Sequence, residues 1–256
     1  MEISNVVLSY DQVRNQLDGV STTITAGKIT TIIGPNGCGK STLLSVMSRT
    51  NPPSAGTVRL ENRDVVEYKP KEFAKKLAIV YQQNLTPQDL TVEKLVGYGR
   101  LPHQSMMKRD KEADEEAIDW ALGCTNLLGK RGNSLEALSG GERQRVWIAM
   151  ALAQKSEILC LDEPTTYLDI YYQLELLELV KQLNREHGLT IVMVLHDINQ
   201  AIKYSDEIIL MKAGKVLAKG EPETVVTREV IKDVYDVHVL VQRDEEAGVY
   251  MIPIGI

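Results

Sequence analysis

Residues 34–41, Gly-Pro-Asn-Gly-Cys-Gly-Lys-Ser, place three glycines, a lysine and a hydroxyl in the spacing Gly-x4-Gly-Lys-Ser. Glycines at this spacing let successive backbone N–H groups converge on one anion, the lysine adds a point charge and the hydroxyl ligates Mg²⁺. A polyphosphate uses all three. The plain structural reading is a glycine turn capping a buried helix. Against it stand the apolar run Ile29 to Ile33 before the loop and the helical spacing of Leu43, Leu44 and Met47 after it, the strand-loop-helix context that phosphate binding requires. Gly34, Pro35, Asn36, Gly37, Cys38, Gly39, Lys40, Ser41 and Thr42 are therefore the candidate nucleotide contacts, with Lys40 expected to bridge the terminal phosphates and Ser41 to hold the metal.

Two further segments carry chemistry. Ile158-Leu159-Cys160-Leu161-Asp162-Glu163 is an apolar run ending in two carboxylates, a pattern that projects acids from the C-terminal edge of a parallel sheet. Asp162 would enter the Mg²⁺ shell, and Glu163 would orient and deprotonate the water that attacks the terminal phosphate. Leu138-Ser139-Gly140-Gly141-Glu142-Arg143-Gln144 reads as a capping box, with Ser139 as N-cap and Glu142 three residues on. Its adjacent glycines also bare the backbone at a helix N-terminus, which makes a second phosphate-binding surface.

The elements that must position these residues follow an α/β pattern. Strands are expected at Ile3 to Ser9, Val20 to Ile24, Ile29 to Ile33 and Thr57 to Leu60, with a helix from Lys40 that Pro52 to Gly56 ends. The stretch from Thr91 to Gln154 is mostly helical and rich in charge, as in Lys108-Arg109-Asp110-Lys111-Glu112, and reads as a helical insertion. Ile158 to Leu161 and Thr190 to Leu195 flank a helix with Leu176, Val180 and Leu183 on one face, the layout of parallel strands joined by a crossover helix. Strands at Glu207 to Met211 and Lys215 to Ala218, a helix opened by Pro222 and a hairpin around Glu245 to Gly248 complete the chain.

At 256 residues, 43% hydrophobic and 25% charged, the chain has the composition of a globular protein and not of a disordered or collagen-like one. A net charge of −6 gives no basic field for a nucleic-acid backbone or an anionic membrane surface. Three separated cysteines, Cys38, Cys124 and Cys160, suggest neither a disulfide framework nor a zinc site, and fit a reducing cytosol. The longest apolar run, Val146 to Ala153, is far short of the roughly 20 residues of a membrane span, and Met1-Glu2-Ile3 lacks the layout of a signal peptide.

Leu-Ser-Gly-Gly-Glu at 138–142, the phosphate loop, the Asp162-Glu163 strand end and His196-Asp197 together resemble the nucleotide-binding subunits of ATP-binding cassette (ABC) transporters, over nearly the whole chain. The resemblance implies a P-loop NTPase core at 1–83 and 156–236, with a mixed or parallel sheet and antiparallel N-terminal strands. It also implies an inserted α-helical subdomain at 84–155 and a C-terminal hairpin at 237–256. It matches Tyr10 to the aromatic residue that stacks on adenine, and Gln82 to the glutamine that senses the γ-phosphate and Mg²⁺. Tyr81 stands where relatives usually have proline and Gln83 follows at once, which leaves the register of that match open by one residue. His196 matches the histidine that contacts the γ-phosphate. In the family, Ser139, Gly140, Gly141, Glu142 and Asp169 serve ATP held by a second, antiparallel subunit, so a homodimer with two ATP is implied and Glu163 releases it by hydrolysis.

Val96 to His103, Trp147 to Gln154, Glu163 to Asp169 and His196 to Ala201 resemble the subset that serves iron(III)-siderophore, haem and cobalamin importers. The implied partners are transmembrane permease subunits and, indirectly, a substrate-binding protein, with no nucleic acid; the implied place is peripheral, on the cytoplasmic face of the cell membrane. Alternatives with the same site are soluble ABC ATPases of iron–sulfur cluster assembly or of DNA repair. Alkylation of Cys38, inside the phosphate loop, is expected to block ATP entry.

Overall fold

The chain begins with antiparallel strands β1 (Glu2–Leu8) and β2 (Leu17–Thr23), in which Ile3, Val6 and Leu8 turn inward on β1. Next comes β3 (Ile29–Ile33), buried at every position, the mark of a strand covered on both faces. Helix α1 (Lys40–Met47) follows the glycine loop, and β4 (Ala55–Leu60) and β5 (Arg63–Asp64) complete an antiparallel sheet of order β2-β1-β4-β5. Helix α1 ends well before the prolines expected to stop it. Arg49 turns left-handed at φ 60°, and the N–H groups of Thr50 and Asn51 both return to the Ser45 carbonyl, so local backbone closure terminates it. The structure, a computed structural model, describes all residues except 12, 85–88 and 105–109; Lys108 and Arg109 of the charged run lie outside the described residues.

Met1–Glu67 together with Thr190–Ile256 form one compact unit, and Tyr68–Leu189 a second. The second opens with α2 (Pro70–Ala74) and β6 (Leu77–Val80), neither expected from sequence because five and four residues carry too little periodic pattern. Helices α3 (Val92–Gly97), α4 (Lys111–Cys124) and α5 (Gly140–Ala153) make its helical part, capped by Thr91, Asp110 and Ser139. Strand β7 (Ile158–Asp162) pairs parallel with β6, Leu77 opposite Ile158 and Val80 opposite Leu161. Helix α6 (Ile170–His187) ends at Gly188 in the left-handed conformation.

Residues 98–103 form a 3₁₀ turn around a buried cation. Arg100 Nε lies 2.9 Å from Asp114 Oδ1, its Nη1 donates to the Ala153 carbonyl at 2.7 Å, and both side chains are under one-tenth exposed. His103 Nε2 donates to the Gln154 carbonyl at 2.8 Å, and burial lowers its pKa. Gly99 permits this approach, because a Cβ there would lie 2.1 Å from the Met150 carbonyl.

The chain then returns to the first unit through β8 (Thr190–Val194), α7 (Ile198–Tyr204), β9 (Glu207–Lys212) and β10 (Lys215–Gly220). Strands β8 and β9 flank β3 in parallel and β10 pairs antiparallel with β9, giving a mixed sheet of order β10-β9-β3-β8 in this unit. Helices α8 (Pro222–Val225) and α9 (Arg228–Tyr235) lead to a hairpin of β11 (His238–Asp244) and β12 (Gly248–Gly255).

Candidate functional site

In the first unit the glycine loop joins the C-terminal end of β3 to the first turn of α1, where helical N–H groups lack intrahelical partners. Gly34 and Gly39 take φ of 154° and 105°, and a Cβ at either would press on backbone, 2.2 Å from the Met211 carbonyl or 2.4 Å from that of Gln16. Glycine is required at both for reasons of space as well as torsion. Lys40 is buried, and its Nζ donates to the Gly34 and Pro35 carbonyls at 2.9 and 3.1 Å, so the cation is held across the mouth of the loop. Asn36, Gly37 and Ser41 are exposed and Thr42 is half-buried.

Cys38 departs from expectation. Its side chain is 4% exposed and burial raises its thiol pKa, so it is a poor nucleophile shielded from reagent, and alkylation in the folded protein is not the expected route to blocking the loop.

Tyr10 is exposed, its N–H donating to Gln16 Oε1 at 3.0 Å, and the Gln16 carbonyl is the group that abuts Gly39; one residue thus connects the tyrosine to the phosphate loop. His196 is exposed just beyond β8, between Leu195, whose N–H reaches the Ile32 carbonyl at 3.4 Å, and Asp197, whose carboxylate caps α7 through the Gln200 N–H at 3.0 Å.

In the second unit β7 delivers Asp162, 9% exposed, to its end, and Glu163 follows with φ 49°, in the left-handed region. Gln82, just past β6, donates to Glu163 Oε2 at 2.5 Å, and Thr166 Oγ1 donates to the same oxygen at 3.4 Å. Of the two adjacent glutamines, Gln82 is the one that reaches the acid. Behind them Cys160 is fully buried, and burial pushes its thiol up to about 12.

Around α5 the capping box closes both ways: the Glu142 N–H donates to Ser139 Oγ at 3.3 Å and the Ser139 N–H to Glu142 Oε2 at 2.9 Å. Lys130 pairs with the other carboxylate oxygen and, with the capping bonds, holds Glu142 down to about 2. Glu142 is therefore engaged within its own unit. Gly140 is exposed, while Gly141 is buried under Tyr172, whose ring would lie 3.1 Å from an added Cβ. The Tyr172 N–H donates to the exposed Asp169 carboxylate at 3.3 Å, so this tyrosine touches both of those segments. Sequence reasoning missed Lys130 and Tyr172, which no motif includes and only tertiary packing brings to the loop.

The donor set fits a magnesium nucleotide. In the first unit the loop offers a buried lysine held over two carbonyls and the Ser41 hydroxyl, and in the second unit Gln82 and Asp162 offer amide and carboxylate oxygens, each a hard donor of the kind Mg²⁺ selects.

Residues 17–166 match the family model described as ABC transporter. The chain is 46% identical over 239 residues to the petrobactin import ATP-binding protein FpuC of Bacillus anthracis, covering 93% of this chain and 88% of that one. It is 44% identical over 239 residues to the ferric enterobactin transport ATP-binding protein FepC of Escherichia coli strain K12, with the same coverage of 93% and 88%. Among solved structures, the dimeric bacterial ABC transporter cassette MJ0796 is similar at a TM-score of 0.75 and 30% identity, over 86% of this chain and 98% of that one. With a strand-loop-helix phosphate site, a carboxylate-ended strand and this match over more than half its length, the chain belongs to the ABC transporter family, as an ATP-binding, ATP-hydrolysing subunit.

Proposed function

We propose that this ATPase energises an importer for iron(III)-siderophore complexes or a closely related chelate. The observation that carries the reading is the high identity, over nearly the full chain, to subunits named for petrobactin and ferric enterobactin uptake. The cargo does not touch this subunit; the chain delivers a conformational stroke to transmembrane permease subunits, which receive their load from a substrate-binding protein. Among the described residues no helix is long and apolar enough to cross a membrane, in keeping with a peripheral subunit on the cytoplasmic face.

In this reading Tyr10 stacks on adenine, the N–H groups of residues 34–42 bind the phosphate chain, and Lys40 leaves its carbonyl contacts to meet the terminal phosphates. Ser41, Gln82 and Asp162 would hold Mg²⁺, which when bound would supply positive charge against the phosphoryl oxygens. Glu163 accepts the proton of the attacking water, and Gln82, already bonded to it, keeps the carboxylate aimed. His196 contacts the γ-phosphate. Ser139, Gly140, Gly141, Glu142 and Asp169 act on the nucleotide of a second copy, with Glu142 holding the helix start in shape, so two ATP close a homodimer and hydrolysis opens it.

The test is affinity purification of the Glu163→Gln variant from its native cell with ATP and Mg²⁺, with and without detergent, alongside uptake of iron-labelled siderophore in a strain lacking the protein. Retained ATP binding, turnover lowered at least about a hundredfold, a multi-span permease in the eluate and lost uptake are expected. Soluble scaffold proteins or nucleic acid in place of a permease would remove the transport role and leave the ATPase standing.

A further inference from the structure

Asn199 lies on the first turn of α7, three residues beyond His196. Its side-chain amide makes both bonds of a strand pairing to one backbone residue of the C-terminal hairpin: Oδ1 accepts from the Met251 N–H at 2.8 Å, and Nδ2 donates to the Met251 carbonyl at 3.1 Å. Two parallel bonds fix orientation as well as distance. Both groups of Met251 therefore face away from β11, so this clasp competes with no rung of the hairpin ladder. Strand β12 packs along α7 around the clasp.

The same C-terminal segment also reaches the phosphate loop. Tyr235, the last residue of α9, has its hydroxyl near Gly34 and the Cys38 thiol, and burial raises its pKa. One residue, Asp236, turns the chain left-handed between α9 and the hairpin, and Arg243 pairs with Glu223 to tie β11 back to α8. The segment thus lies beside the first glycine of the phosphate loop at one end and is fastened at the other to the helix that follows His196. On the loop side, His196 is fastened through Leu195 to β3.

We propose that Asn199, clasped by Met251, is a positioning residue for His196, and that the α9-hairpin segment sets the placement of His196 relative to the phosphate loop. This rests on the reading that His196 meets the γ-phosphate. It follows that the clasp matters to ATP, which carries that phosphate, and not to ADP, which lacks it.

The experiment uses the full chain and four variants, Asn199→Ala, Met251→Pro, their double and His196→Ala. Proline at 251 removes the N–H that Asn199 accepts from while sparing the ladder, on a strand that already carries Pro253. Steady-state kcat and KM for ATP, Kd for ADP by calorimetry, and melting temperature are measured for each. The expected result is a kcat lower by about tenfold in each clasp variant, no further fall in the double, and ADP affinity within about twofold of the parent. Turnover within about twofold of the parent in both single variants would overturn the proposal, as would losses that multiply in the double or a parallel fall in ADP affinity. A His196→Ala protein that turns over like the parent would overturn the role of His196 itself, a failure its own variant tells apart from loss of the clasp.

Discussion

Glu163 holds a backbone conformation, φ 49°, that costs a residue with a Cβ about 1–2 kcal/mol. The turn that imposes it also points the carboxylate at Gln82, so the strain and the aim of the proposed general base have one origin. Glu163→Gly and Glu163→Ala both delete the carboxylate, but only glycine accepts this torsion freely. The glycine variant should be the more stable of the two by about 1 kcal/mol in denaturant unfolding, with both inactive; equal stabilities would show that the turn relaxes when the side chain is lost. At this scale the sequence was informative where chemistry demands a fixed spacing, as in Gly34 to Ser41 and Asp162-Glu163. It was silent on the Lys130–Glu142 and Arg100–Asp114 pairs and on the packing of Tyr172 over Gly141, all joined across 12 or more positions by packing.

At the scale of elements, the start of α5 shows how a helix end can be set by charge. Glu142 is held at about 2, well below an ordinary glutamate, chiefly by Lys130 and then by the Ser139 N–H. A carboxylate with a lowered folded-state pKa contributes stability that is complete above its unfolded value and is lost as pH falls through the folded one. The contribution of Glu142 should therefore fade from about pH 4.5 down to about 2, and Glu142→Gln should flatten the acid limb of the stability curve in that window. At pH 7 the same variant should be less stable by about 1 kcal/mol, since the glutamine keeps the cap and loses the ion pair; an unchanged acid limb would place the acid sensitivity elsewhere. The capping box of α5 and the apolar face of α6 were readable from the sequence, while α4 was foreseen only as part of a mostly helical stretch. Strand β6 and helix α2 were not, because four or five residues carry too little period, and the end of α1 was misread because backbone closure at Arg49 acts before any proline.

At the scale of the molecule, the family and its mixed sheet were legible because the motif-bearing loops each follow a strand or open a helix, so the chemistry and the topology were read together. The cargo class was visible only through resemblance, since in the proposed function the cargo does not touch this subunit. If the chain works beneath a permease, it should sediment with membranes when that permease is present and be released by alkaline carbonate, which strips peripheral proteins and leaves spanning ones. Retention after the wash would contradict a peripheral attachment.

The first unit is made from both ends of the chain, with the second spliced between Glu67 and Thr190. During synthesis β3 and the phosphate loop emerge early, yet the two strands that flank β3 are translated only after the whole of the second unit. The nascent phosphate loop thus waits with its strand edges unpaired, while the second unit, continuous in sequence, can close on itself. A chain stalled on the ribosome before Thr190 would have the loop residues and no sheet to hold them, which makes nucleotide affinity a late acquisition of folding and the interval before it the time of greatest exposure to aggregation.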